Sequence, residues 1–354
     1  MKNSFILILF LFFVFFTACF SDSKKQEKSS ETTVTLVENS SNKRVDVMIN
    51  GKLFTSYQWP ENICKPVLYP IFTAKGTEIT RGFPINPKPG ERIDHAHQIG
   101  MWLTYGNVNG YDFWGNGSKG LGTRNENGGV IKHLSIDKKQ DGKNEGILVT
   151  SSIWITPTGE ELMKENSEYH FLVKDSVRII DRVTTLTAKT DVTMPDTKEG
   201  MFGIRVAREL ELPSEADVTL YSADGQATKV EALSNKNITG NYLSSEGITG
   251  EAVWGTRAKW MNLLGNISDE DISMIVCDHP KNLNYPTYWH ARGYGLFAAN
   301  PLGIKDFTEN KTSLNFSLES GRSITFRYRV IISSDLYLTN NEINALTSDF
   351  ARKY

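Results

Sequence analysis

Cysteine is scarce in this chain, three in 354 residues. Cys64 and Cys277 lie far apart and lack the paired spacing of a zinc site. An oxidising compartment would let them pair, but their spacing specifies no disulfide, and two separate buried thiols fit as well. Charge of one sign is also lacking. A formal net charge of −2 argues against a nucleic-acid binder, which carries a basic patch or stripe. Long apolar runs occur in one place only. After Lys2, "FILILFLFFVFFTAC" extends for about fifteen residues, short for a membrane span and fitting a signal-peptide core. No later segment is apolar enough to cross a bilayer.

The run ends in Phe16-Thr17-Ala18-Cys19, which resembles a bacterial lipobox. Residues 1–18 are therefore expected to be a lipoprotein signal peptide, with Cys19 lipidated after cleavage. A non-lipidated signal or an anchor helix is the alternative. "SDSKKQEKSSETT" is polar and of low complexity, so residues 19–33 read as a flexible tether. The expected location is the bacterial cell envelope, lipid-anchored at the outer membrane.

Helical periodicity is rare as well. "TNNEINALTSDFARKY" has a polar start and then Ile343, Leu346 and Phe350 at helical spacing, which predicts one C-terminal helix. Elsewhere the chain alternates. In "RSITFRYRVII", Ile324, Phe326, Tyr328, Val330 and Ile332 recur with period two, as in a strand with one buried face. Asn50-Gly51 in "RVDVMINGKLFTSY" is the strongest short hairpin signal. Further strands are predicted in "GVIKHLSI", "GILVTSSIWI", "YHFLV", "VRIIDRVTTLTA", "GMFGIRVAREL", "DISMIVCD" and "YGLFAAN", separated by turn residues. No linker or internal repeat follows residue 45 or so. The prediction is an all-β fold: one large antiparallel sandwich over 34–354 with a short C-terminal helix.

Four segments depart from plain alternation and are rich in His, Arg, Trp, Asp and Glu. They are "ITRGFPINPKPGERIDHAHQIGMWLTYGNVNGYDFWG", "PDTKEGMFGIRVARE", "VWGTRAKWMN" and "DHPKNLNYPTYWHARGYGLFAANPLG". If His95 and His97 lie on a strand, they share a face. Three readings stay open: two ligands of one metal, two polar groups of a metal-free pocket, or a hydrogen-bonded structural pair. A third ligand would have to come from His133, His290 or Glu199, far away in sequence. Trp102, Trp114, Trp254, Trp260 and Trp289 fall in or beside these segments. Aromatic faces beside Arg, Asn and His suit sugar rings and hydroxyls, although any one Trp also suits a sandwich core. Glu199 lies close to Asp196 and Arg205 and is a candidate general base. His170, in "EYHFLV", reads as structural.

In its ordered motifs the chain resembles a bacterial family of unknown function that has carried the label "methane oxygenase PmoA". The motifs run from "KPVLYPI", "ITRGFP", "DHAHQIGMW" and "NVNGYDFW" through "DTKEGMFGIRVA", "WGTRAKW" and "DHP" to "PTYWHARGYGLFAANPLG" and "RYRV". They cover nearly all of the chain beyond its leader. Similar proteins read Asp-His-x-His-His in the first motif, where this chain has Gln98. Gln bonds a hydroxyl but does not shuttle protons. The resemblance implies a galactose-mutarotase-like β super-sandwich and a carbohydrate pocket. It does not imply methane oxidation, because such a monooxygenase subunit is a multi-span membrane protein.

The expected function is thus a carbohydrate-active enzyme, an epimerase, lyase or hydrolase, that moves protons by acid–base chemistry. His97 or His290 is cast as general acid and Glu199 as general base. Arg92, His95, Arg205, Arg257 and Arg292 would bind and orient the sugar, with Trp102, Trp254 and Trp289 as its aromatic contacts. No cofactor is required. The alternatives are a divalent-metal enzyme using His95 and His97, and a non-catalytic sugar-binding lipoprotein.

Overall fold

The computed structural model describes residues 32–230 and 235–354. The expected signal peptide, lipidation site at Cys19 and most of the tether lie outside them. Residues 32–354 form one compact unit. Thr33, placed in the tether on sequence grounds, already pairs with Lys143 in the first strand, Thr33–Asn39.

Two antiparallel sheets make up the domain. The nine-stranded sheet runs, in spatial order, Tyr288–Arg292, Leu296–Asn300, Gly200–Arg205, Met101–Tyr105, Val67–Ile71, Lys52–Gln58, Arg44–Ile49, Thr33–Asn39 and Gly142–Lys143. The eight-stranded sheet runs Asn241–Ser244, Trp260–Ile267, Glu270–Asp278, Ser323–Ser334, Val177–Ala188, Glu161–Lys174, Glu145–Ile155 and Val130–Gln140. Each predicted strand is found. The Asn50-Gly51 turn has both residues at positive φ (49° and 76°), the twist that a two-residue hairpin needs.

Period-two alternation decides which side chains enter the core between the sheets. Phe54, Met101, Leu103, Phe202 and Ile204 enter from the first sheet, and Phe171, Ile180, Met274, Tyr328 and Val330 from the second. Phe202 stacks on Tyr328 across the gap, with ring centroids 4.7 Å apart. The outer face of the second sheet is covered by the helix Asn340–Lys353. Ile343 and Phe350, spaced for one helical face, pack on Ile179, Ile275, Cys277 and Ile331. A capping box starts this helix: the Thr339 side chain accepts from the Glu342 amide, and the Glu342 carboxylate accepts from the Thr339 amide. The strand Ser323–Ser334 is therefore buried on both faces towards its end, where the alternation suggested one. Cys64 and Cys277 are separate free thiols.

The outer face of the first sheet positions the site. Trp102 and Gly203 are cross-strand partners. A Cβ on Gly203 would lie 2.7 Å from the Trp102 ring, so only glycine lets the indole lie flat across its neighbour. Trp102 then packs with Trp114, Val67, Leu296 and Ala298 in a satellite core.

Candidate active site

On the strand Tyr288–Arg292, Trp289 and Ala291 point into the central core. Tyr288, His290 and Arg292 consequently share the opposite, outer face. Two loops cross that face. One, residues 92–98, carries His95. The other, residues 195–199, ends in Glu199 just before the strand Gly200–Arg205. Together with the turn bearing Trp254 they enclose a cavity of about 500 Å³, lined by His95, Lys198, Glu199, Trp254, His290, Arg292, Tyr294 and Asp306. All four of the unusual sequence segments contribute to it.

The His95 loop is held by two buried guanidinium groups. Arg81 donates to the main-chain carbonyls of Arg92, Asp94, His95 and Gln98 at 2.9–3.2 Å and to the Asp94 carboxylate at 3.0 Å. Arg205 donates to Asp94 at 2.8 Å and to the Gln98 side-chain oxygen at 2.5 Å. Burial raises the Asp94 pKa, but His95, Arg205 and Arg81 outweigh it and hold the carboxyl well below the usual range. Gln98 therefore serves the scaffold behind the loop. His95 itself has φ 45°, a left-handed conformation in which histidine is enriched. Its ring lies parallel to Tyr294, with centroids 5.1 Å apart and planes at 2°. The loop is not a strand here, so the expectation that His95 and His97 share a strand face does not hold.

The Glu199 loop is anchored by its main chain. Asn300 donates to the carbonyls of Thr197 and Lys198, and Asp306 accepts from the Lys198 amide. His290 Nδ1 donates to the Lys198 carbonyl at 2.8 Å. Burial lowers the His290 pKa to about 4, against a smaller upward pull from that hydrogen bond. The ring is thus neutral at pH 7, with its proton on Nδ1 and a lone pair on Nε2. A general-acid role for His290 does not suit that tautomer; an acceptor role does. Burial raises the Glu199 pKa, partly offset by Lys198, whose ammonium is 3.8 Å away. Two titratable groups facing one cavity are shifted from their ordinary values, Glu199 upwards and His290 downwards, and such perturbed groups cluster at functional sites.

Arg292 completes the cavity. Its guanidinium lies 5.6 Å from the Trp254 ring and 5.9 Å from the Tyr294 ring, a cation held between aromatic faces.

Several residues expected at the site lie elsewhere. His97 is buried behind the loop. Its carbonyl accepts from Lys65 at 2.6 Å, its Nδ1 is enclosed without a partner, and its ring stands 5.7 Å from that of His95 at 67°. Burial, with Lys65 and His95 beside it, pushes its pKa far below the ordinary histidine value. Trp102 and Trp289 are fully buried and offer no stacking face; Trp289 donates to the Ala258 carbonyl inside the core. Arg205 is fully buried and positions the His95 loop. Arg92 is paired with Glu211 at 2.6 Å. Arg257 donates to the carbonyls of Pro286 and Asn284 and lies over Tyr288, outside the cavity lining. Sequence reasoning missed Arg81, Tyr294 and Asp306, and gave Lys198 no role beside Glu199. Arg81 and Tyr294 stand inside quoted motifs, but neither type signals its role without the fold. Among the described residues, no three His, Cys, Asp or Glu side chains form a metal-ligand group. His133 bonds Tyr57 at 3.1 Å, and His170 bonds Glu145 and Glu168 at 2.7 Å each.

The fold is an antiparallel β sandwich whose site is built on the outer face of one sheet. The chain belongs to a family of unknown function (DUF6807), whose model matches residues 44–348. No activity comes with that description, and nothing in the comparisons supports the methane-oxygenase label. No curated protein matches the chain. Similar solved structures include the galactosidase domain of an α-galactosidase-sucrose kinase, at 11% identity and TM-score 0.37, covering 84% of this chain and 41% of that one. The GH36 α-galactosidase AgaB from Geobacillus stearothermophilus is similar at 11% identity and TM-score 0.36, over 84% and 40%. A galactose mutarotase related enzyme from Lactobacillus acidophilus is similar at 10% identity and TM-score 0.28, over 87% and 99%. The chain spans about two fifths of the length of the α-galactosidases it matches.

Proposed function

We propose that this protein is a carbohydrate-active enzyme that moves a proton at a sugar carbon or ring oxygen. The observation that carries the reading is the pairing of Glu199 and His290 at one aromatic-walled cavity. Neutral His290 accepts the proton at Nε2. Its Nδ1–H is tied to a main-chain carbonyl, so the ring keeps one tautomer through the cycle. Glu199, whose pKa burial raises, exchanges a proton with the oxygen where charge develops. Lys198 then stabilises the carboxylate that remains. Trp254 and the stacked His95–Tyr294 pair offer flat faces to a sugar ring, while Arg292 and Asp306 offer polar groups for its hydroxyls. An epimerisation, an elimination and a hydrolysis all need this pair of functions.

The test is turnover by the purified chain on a panel of mono- and disaccharides, followed by NMR. A product from any of them that disappears in Glu199→Gln supports the reading. Binding without turnover across the panel would leave a sugar-binding protein in its place. The chain is further proposed to act at the cell envelope, held by lipid on Cys19.

A further inference from the structure

A second cleft, of about 800 Å³, opens where the strands Lys52–Gln58 and Glu145–Ile155 end beside the start of Val130–Gln140. This volume lies in the range of ligand clefts, roughly 300–1,000 Å³. Its aromatic wall is Trp59 against His133, with ring centroids 4.1 Å apart. The Tyr57 hydroxyl fixes the imidazole at 3.1 Å. Burial lowers the His133 pKa to about 4, so this wall carries no charge at pH 7.

The rest of the lining is strongly one-sided. Lys43, Lys65, Arg124 and Lys132 face it with a single carboxylate, Glu61, which already pairs with Lys43. Arg124 and Lys132 are exposed and make no ion pair among the described residues. Lys65 is 4% exposed. Its ammonium donates to the carbonyls of His97 and Trp114, and Asp112 acts on it electrostatically. Glu38 and Asp137 lie close enough to act on His133, so acidic groups border the basic patch. A long polyanion such as a nucleic acid would meet them, whereas a ligand of a few rings would not.

We infer that this cleft binds a short acidic saccharide, its ring against Trp59 and its carboxylate or sulfate on Arg124 and Lys132. The inference is independent of the chemistry proposed for the first cavity.

The experiment is isothermal titration of the full chain with trigalacturonate, a sulfated trisaccharide and neutral cellotriose. One acidic sugar should bind at least about tenfold more tightly than cellotriose, the worth of one charge-assisted contact. The two acidic arms separate carboxylate from sulfate recognition. Arg124→Gln with Lys132→Gln, both at exposed positions, should remove that advantage, and Trp59→Ala should weaken all remaining sugar binding. Glu199→Gln should leave the acidic-sugar affinity unchanged, which separates this cleft from the first cavity. Equal binding of acidic and neutral sugars would overturn the inference, as would an undiminished affinity in the double variant. Displacement by equimolar inorganic phosphate, or tighter binding of a single-stranded oligonucleotide, would replace it with a general anion site.

Discussion

His290 and Lys198 are joined by a hydrogen bond from the imidazole Nδ1 to the main-chain carbonyl, 2.8 Å long. This bond ties the edge strand of the first sheet to the loop that presents Glu199. It also fixes which ring nitrogen carries the proton, a detail that no sequence motif encodes.

A pH dependence follows. The folded-state pKa of His290 is lowered to about 4, against about 6.5 for an unfolded histidine. The unfolded chain therefore binds this proton more readily. Stability from this group is full above pH 6.5 and is lost as pH falls towards 4. The loss amounts to about 3 kcal/mol at most. Asp278 runs the other way: burial raises its pKa to about 7, so its contribution falls as pH rises from about 4. A single stability curve mixes these effects. The difference between wild type and His290→Asn, from urea unfolding at pH 7.5 and 5.0, cancels the shared groups. The variant should lose less stability on acidification, and identical losses would contradict the neutral, buried imidazole.

Arg81 is predicted to hold the His95 loop. Its guanidinium serves four carbonyls and one carboxylate, a pattern that a lysine cannot reproduce. Arg81→Met should destabilise the protein by about 3–5 kcal/mol, as expected for breaking a buried ionic network. Arg81→Lys should fold but leave the 92–98 amides open to hydrogen exchange. Unchanged protection in the lysine variant would show that the loop is held by other contacts.

Much of the fold was legible because its elements are short-range patterns. The alternation of Phe326, Tyr328 and Val330 and the helical spacing of Ile343 and Phe350 each report one buried face. Alternation also separates Trp289 from His290: neighbours on a strand face opposite ways, so a core Trp289 follows from a site His290. The His95 loop was illegible for a different reason. His95 adopts a left-handed conformation stabilised by Arg81, fourteen residues away, and by Arg205, which reaches Asp94 from another strand. Residue spacing within "DHAHQ" cannot reveal partners supplied by tertiary structure. Gln98 is an acceptor for Arg205, so its replacement of a family histidine says little about proton transfer in the cavity.

Membrane attachment is predicted to depend on Cys19. The stretch Phe16-Thr17-Ala18-Cys19 lies between an apolar run and a polar one, where a lipobox would stand. Cys19→Ser should move the protein from the membrane fraction to the soluble fraction and abolish labelling with an alkyne fatty acid. Wild-type protein found wholly in the soluble fraction would remove the lipoprotein assignment.

The most informative test contrasts Glu199, His290 and His97. Only the first two line the cavity beside the edge strand. On the proposed mechanism, Glu199→Gln and His290→Asn should each lower kcat by roughly 10²–10⁴-fold, the usual range for general acid–base groups. Both should retain the wild-type β-rich circular dichroism spectrum. His97→Ala should lower kcat by less than about tenfold, below that catalytic range, and act mainly on stability. A chelator should leave turnover intact. Loss of turnover on chelation, restored by a divalent cation, would favour the metal-dependent alternative. If His97→Ala abolished turnover with its fold intact while Glu199→Gln did not, the proton-transfer roles would have to move to the 92–98 loop. The three substitutions thus distinguish a site centred on the edge strand from one centred on the paired histidines.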